Sequence, residues 1–153
     1  MTRAWRLTTR AREDTALSGE GARRFGGRWN PPGVAAVYAA ATISLAALEY
    51  LAGADVDLAP PDLVVIPVEW GADVPLTVFD AGHLPRGWRA FPHPTATRDL
   101  GGEWLRGQVA PVLSVPSAIV PEERIFVLNP SHPLFDGLVV GPSRPFTYDP
   151  RLW

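Results

Sequence analysis

Residues Gly21–Gly33 read GARRFGGRWNPPG, residues Val34–Ala40 read VAAVYAA, and residues Ala41–Tyr50 read ATISLAALEY. These thirty residues pass from an arginine- and glycine-rich loop to a short apolar strand and then to a helix. The loop carries Arg23, Arg24 and Arg28 beside Phe25 and Trp29. Ordering so many glycines is costly, because glycine loses the most backbone freedom on folding. Guanidinium forks match phosphate geometry, and aromatic rings can stack on flat bases. The stretch therefore suggests a ligand that has both phosphate and a flat ring. The helix after it is apolar almost throughout, with Glu49 its one charge. Thr42 or Ser44 can cap its start and Gly53 can close it, with Leu45, Leu48 and Ala52 expected as the core stripe.

Upstream, Ala4–Thr8 alternates as a strand with Trp5 and Leu7 on one face and Arg6 on the other. Downstream, Leu63–Trp70 reads as a β-branched strand whose Pro67 marks an edge or a bulge. Leu76–Asp80 reads as another strand. Thr97–Gln108 has a helical pattern weakened by Gly101-Gly102. After Pro111 come short apolar runs: Val112–Val115, Ser117–Val120, Ile125–Leu128, Leu138–Val140 and Pro145–Tyr148. Turn signals separate them. Two helical patterns among seven or more short strands give an α+β domain with mainly antiparallel sheet. With 153 residues, one domain spanning 1–153 is expected.

Composition narrows the function. The chain is 46% hydrophobic and 20% charged, as a globular protein is. Its net charge of −2 offers no global basic field for nucleic acid. Half of the basic residues nonetheless lie in the first 28 positions: Arg3, Arg6, Arg10, Arg12, Arg23, Arg24 and Arg28. Cysteine is absent, which removes disulfides, thiol nucleophiles and thiolate metal sites. No secretory leader or membrane span is legible, so a cytoplasmic protein is expected. His83, His93 and His132 each lie near a proline and lack metal-ligand spacing, so no metal site is expected. No P-loop, G-x-G-x-x-G or G-x-S-x-G is present, which argues against a kinase, a Rossmann enzyme and an α/β-hydrolase.

Several residues have both a structural and a chemical reading. Glu49 is either a solvated helix position or a cleft carboxylate. Arg28 is either a surface arginine paired with an acid such as Glu20 or a phosphate ligand. Arg6, flanked by Trp5 and Leu7, should be partly buried and needs a partner. Tyr38 and Trp29 are core or loop anchors before they are stacking platforms. Ser117, after Pro116, reads first as a turn hydroxyl.

The run SGEGARRFGGRWNPPG (Ser18–Gly33), then Val37-Tyr38, Leu48-Glu49, VPSAIVPEE (Val115–Glu123), LNPSHP (Leu128–Pro133) and PFTYDPRLW (Pro145–Trp153) together resemble the RES domain. That family is named for an Arg, a Glu and a Ser, and it includes toxins of bacterial toxin–antitoxin pairs. The resemblance runs from Trp5-Arg6 to the last residue, with one departure: Ile125 stands where the family often has Asn. It implies an ADP-ribosyltransferase-like fold, an NAD+-degrading activity with no separate cofactor, and an Xre-like helix-turn-helix antitoxin as partner. DNA would be met only through that antitoxin, and no membrane is implied. Both a monomer and a homo-oligomer stay open.

By motif, Arg6, Arg28, Tyr38, Glu49 and Ser117 would line the NAD+ pocket. Glu49 would stabilise an oxocarbenium-like transition state as the nicotinamide–ribose bond breaks. The arginines would hold phosphates, Tyr38 would stack on or orient nicotinamide, and Ser117 would bond the nicotinamide amide or the ribose. Acceptors compatible with this chemistry are water, phosphate and a protein side chain, the last making the chain an ADP-ribosyltransferase. The competing expectations are an RNA-targeting toxin using Arg23, Arg24, Arg28 and Trp29, and a non-catalytic binding module.

Overall fold

The computed structural model describes residues Met1–Trp153. Its first strand, β1 (Thr2–Thr9), lies antiparallel to β3 (Leu63–Trp70) along all eight residues, Thr2 facing Trp70 and Thr9 facing Leu63. The other strands are β2 (Val37–Ala40), β4 (Leu76–Val78), β5 (Val112–Pro116), β6 (Arg124–Leu128), β7 (Val139–Val140) and β8 (Arg144–Phe146). They join in the order β4-β5-β6-β2-β1-β3-β7, with β8 also on β3. Only β4 and β5 run parallel. Three helices accompany them: α1 (Glu20–Phe25), α2 (Ile43–Ala52) and α3 (Thr95–Gly107). The expected α+β class with mainly antiparallel short strands is what forms.

Strand alternation sorts the core into two faces. On β6, Ile125 and Val127 join Leu113 and Val115 of β5, Leu7, Leu45 and Trp104 in one cluster. Phe126 and Leu128 join Val112, Val37, Val68 and Trp70 in the other. The departure at Ile125 is thus a buried strand residue. Pro67 behaves as expected of a strand proline. β7 pairs with Val68 and Glu69, β8 pairs with Leu63 to Val65, and the outer ladder breaks between them. There the Gly141 amide donates to the Pro67 carbonyl at 2.9 Å. A Cβ on Gly141 would stand 2.8 Å from the proline ring.

The ladder between β1 and β2 is reduced to one registered pair, Trp5 with Ala40. Beyond it the strands part. The side chain of Arg6 fills the seam, donating from Nη1 to the Tyr38 carbonyl at 3.1 Å and from Nε to the Ala16 carbonyl at 3.2 Å. A guanidinium thus replaces part of the missing ladder, since buried carbonyls need donors.

Several expectations are corrected. The loop begins with α1, a short helix that its glycines concealed. Between β1 and α1, where no element is expected, Arg10–Thr15 forms a 3₁₀ turn. Ser117–Val120 is a turn rather than a strand, because Ser117 Oγ accepts the amides of Ile119 and Val120, both at 3.0 Å. On α2 the buried positions are Leu45 and Ala46, whereas Leu48 and Ala52 are exposed. That helix is apolar on every side, so spacing alone could not choose its inward face. Its cap is Thr42, whose Oγ1 accepts the Leu45 amide at 3.1 Å.

Candidate active site

The glycine–arginine loop is built around one asparagine. Asn30 is wholly buried. Its Nδ2 donates to the carbonyls of Ala22 at 2.8 Å and Val34 at 2.9 Å, and its Oδ1 accepts the Tyr38 hydroxyl at 2.6 Å. The Tyr38 oxygen in turn accepts the Trp29 amide at 3.1 Å. Every side-chain polar atom of this Asn30–Tyr38 network has a partner, as burial demands. Burial also pushes the Tyr38 pKa up. The loop leaves no room for larger residues. A Cβ on Gly27 would lie 2.8 Å from the Tyr38 hydroxyl. A Cβ on Gly101 of α3 would lie 1.8 Å from the Trp29 carbonyl oxygen, and one on Gly102 would lie 2.9 Å from the Pro31 ring. The glycine pair that weakens α3 as a helix is what lets the loop backbone lie on it.

This frame presents Arg28. Its Nη1 donates to the carbonyls of Trp88 at 2.7 Å and Ala90 at 2.8 Å. Of the five guanidinium donors, those on Nε and Nη2 remain unspent. Partial burial lowers the Arg28 pKa, while the negative charge of Glu49 acts the other way. Arg28 is therefore a half-buried cation facing the Glu49 carboxylate. The expected pairing with Glu20 does not occur. Glu20 binds Arg23 three residues along α1, through Nε at 2.8 Å.

Glu49 comes from the second turn of α2 and is half-buried. Its Oε1 accepts the Ser117 hydroxyl at 2.7 Å. Ser117 is completely buried, at the end of β5. Because Ser117 Oγ accepts two amides of its own turn, its single proton is committed to Glu49. The Ser117 hydroxyl therefore orients Glu49 and has no second proton to give. The second carboxylate oxygen of Glu49 has no protein partner and can accept from a ribose hydroxyl. The result is a carboxylate fixed in orientation beside a cation with free donors.

The structure therefore brings Arg28, Tyr38, Glu49 and Ser117 together. Arg6 lies one layer away, on the side of β1 with Ala4 and Thr8, and reaches the group through the Tyr38 carbonyl. Its partners are carbonyls, not a carboxylate, and burial lowers its pKa, with Arg12 adding to the effect. A cavity of about 680 Å³ lies nearby, lined by residues that include Arg10, Arg12, Tyr50 and Asp62. It shares no residue with the Glu49 group, and Arg10 there is already paired with Asp62 at 3.0 Å. Charge and fixed orientation coincide at Glu49 rather than at this cavity. The stacking patch required by the RNA expectation does not assemble. Trp29 is only 2% exposed, inside the core, and Arg23 is held by Glu20.

Sequence reasoning passed over Asn30 and Arg98, and read His93 only as a histidine outside any metal site. Asn30 had a signal, a buriable amide between Trp29 and two prolines. His93 and Arg98 had none, since only the fold brings them to Arg28.

The RES domain family model matches residues 3–149. The chain is 40% identical over 152 residues to the Prs ADP-ribosylating toxin of Sphingobium sp. (strain YBL2), covering 97% of this chain and 94% of that protein. It is 37% identical over 152 residues to Toxin Res of Yersinia enterocolitica, covering 97% of each. It is 36% identical over 152 residues to Toxin Res of Pseudomonas putida, covering 97% and 98%. In three dimensions it is similar to the M. tuberculosis MbcT–MbcA toxin–antitoxin complex, with a TM-score of 0.78 at 21% identity, over 95% of this chain and 84% of that one. By a family match over nearly its whole length and by relatives this similar, the chain belongs to the RES domain family.

Proposed function

We propose that this chain is the toxin of a toxin–antitoxin pair and that it consumes NAD+ by breaking the nicotinamide–ribose bond. The observation that carries the reading is the Glu49 carboxylate, locked by Ser117 and faced by Arg28. When the C1′–N bond breaks, its electron pair goes to the pyridinium nitrogen. Nicotinamide then leaves neutral, and no general acid is needed. Positive charge builds on the ribose carbon and ring oxygen. A carboxylate about 4 Å from a unit charge at an effective dielectric near 20 contributes roughly 4 kcal/mol. That is about a thousandfold in rate, provided the group is already oriented. Ser117 supplies that orientation. The free donors of Arg28 suit phosphate, and the ring of Tyr38 offers an apolar wall. Water then adds at C1′ and loses a proton, giving ADP-ribose; phosphate as acceptor would give a phosphorylated sugar.

A second reading, transfer of ADP-ribose to a protein, is favoured by the name of the Sphingobium relative. An unrestrained NAD+ consumer would poison its own cell, so the partner expected is an antitoxin, Xre-like and itself DNA-binding, that covers the Arg28 mouth. Relatives named as toxins and a fold shared with a toxin–antitoxin complex support that partner. The test is purified chain incubated with NAD+ while free nicotinamide is measured. Release is expected. NAD+ left intact with water, phosphate and protein acceptors all supplied would overturn the reading.

A further inference from the structure

Beside the Glu49 group lies a cluster of basic side chains with no acid paired to it. Arg28 comes from the glycine–arginine loop, His93 precedes α3, and Arg98 lies in the first turns of α3. Arg98 Nη2 donates to the His93 carbonyl at 3.2 Å. Arg28 Nη1 holds the carbonyls of Trp88 and Ala90 in the same segment. None of the three is in a salt bridge: the chain's ion pairs are Arg3–Glu69, Arg10–Asp62, Arg23–Glu20, Arg124–Asp80 and Arg151–Asp149. Two atoms of the cluster, His93 Nδ1 and Arg98 Nε, are buried without any hydrogen-bond partner. Burial and the charges of Arg28 and Arg98 together hold the His93 pKa below the usual histidine range.

Buried polar atoms nearly always have partners, and leaving one without a partner is costly. Elsewhere this chain meets its buried polar atoms fully, as around Asn30. The deficit at His93 and Arg98 is confined to the flank of Arg28, and an anion would remove it. The position matters as well. The cluster reaches Glu49 through Arg28, so an anion held there can belong to the same ligand as a group bound at Glu49.

We propose that His93 and Arg98, with Arg28, form a phosphate subsite that holds the pyrophosphate of the dinucleotide. The identity of the dinucleotide rests on the NAD+ reading; the anion site does not. Arg98 offers its Nε–H, Arg28 its unspent Nε and Nη2 donors, and His93 a ring nitrogen. A small local shift of the Trp88–Pro94 segment admits the anion, since most of that segment is exposed.

The probe is inorganic pyrophosphate, titrated into the full chain while histidine imidazole signals are followed by NMR. The His93 signal is assigned from its loss in His93→Gln. The His93 signal is expected to move, and its pKa to rise, because a nearby anion favours the charged imidazolium. His83 and His132 should stay put. Arg98→Gln should weaken pyrophosphate binding on the order of tenfold, whereas the exposed Arg23→Gln should not. A His93 signal unmoved by pyrophosphate at about 10 mM, far above the range of a useful subsite, overturns the proposal, and the wild-type titration decides this even if Arg98→Gln fails to fold. Nicotinamide release from NAD+ is read on the same sample. Release with an unmoved His93 sinks the subsite alone, and a moved His93 without release sinks the NAD+ reading alone.

Discussion

Two irregular segments meet at Arg28, and they are built on opposite plans. The Gly26–Gly33 loop is closed around Asn30, with Trp29 in the core and the backbone pressed onto Gly101 and Gly102. The Leu84–Pro94 segment is mostly exposed. It is tied down by the Arg28 bonds to Trp88 and Ala90, by Arg89 Nε to the Ala118 carbonyl at 3.0 Å, and by the half-buried Trp88. The first loop leaves no buried side-chain polar atom without a partner. The second ends at the two buried atoms that have no partner, His93 Nδ1 and Arg98 Nε. The difference separates scaffold from receptor. One segment fixes where Arg28 stands, and the other borders the proposed anion subsite.

If that division holds, damage to the first loop should be far costlier than damage to the second. The largest effect is expected for Gly101→Ala. Alanine would raise helix propensity by about 1 kcal/mol, but its Cβ would meet the Trp29 carbonyl at 1.8 Å. The backbone must move, so a net loss of about 3 kcal/mol or more is expected in denaturant melts. A neutral or stabilised variant would break the comparison at its base. Next is Asn30→Ala, which strands the Ala22 and Val34 carbonyls and the Tyr38 hydroxyl. At roughly 1–3 kcal/mol for a buried polar group left unpaired, a loss of about 3 kcal/mol is expected, less whatever water can restore.

The second segment should respond weakly. Arg89→Ala removes one exposed bond to Ala118 and should change stability by about 0.5 kcal/mol or less. A larger loss would mean that this segment too is scaffold. The smallest effect concerns pH. The folded pKa of His93 is depressed, so the unfolded chain takes up the proton first as pH falls. Stability should therefore decline from about pH 6.5, the unfolded histidine value, down to the folded pKa. His93→Gln should flatten part of that slope in melts taken across the same range. An unchanged slope would mean that His93 is not desolvated in solution.

Much of the frame could be read before any coordinates. Leu63–Trp70 shows its strand by β-branching, Thr42 or Ser44 marks the start of α2, and Pro67 marks an edge or a bulge in the sheet. Two kinds of information were missing. The inward face of α2 was hidden because the helix is apolar all round, so only packing against the sheet selects Leu45 and Ala46 over Leu48. The partners of the arginines were hidden because they are main-chain carbonyls far along the chain, such as Trp88 for Arg28 and Ala16 for Arg6. A carbonyl carries no residue type, so no composition or spacing reveals it. The same holds for Ser117. Its residue type suggested a turn or a ligand contact, and only the fold shows that its proton goes to Glu49.

The central claim is that Glu49 performs the chemical step while the arginine side of the site does the binding. Glu49→Gln tests it directly, because glutamine keeps the shape and can still accept the Ser117 proton but removes the charge. Nicotinamide release and NAD+ affinity are measured on the same folded protein. The kcat should fall about a hundredfold or more, the scale for loss of one preorganised electrostatic group, with affinity held within about threefold, less than 1 kcal/mol. A folded Glu49→Gln protein that releases nicotinamide at near the parent rate would contradict the claim.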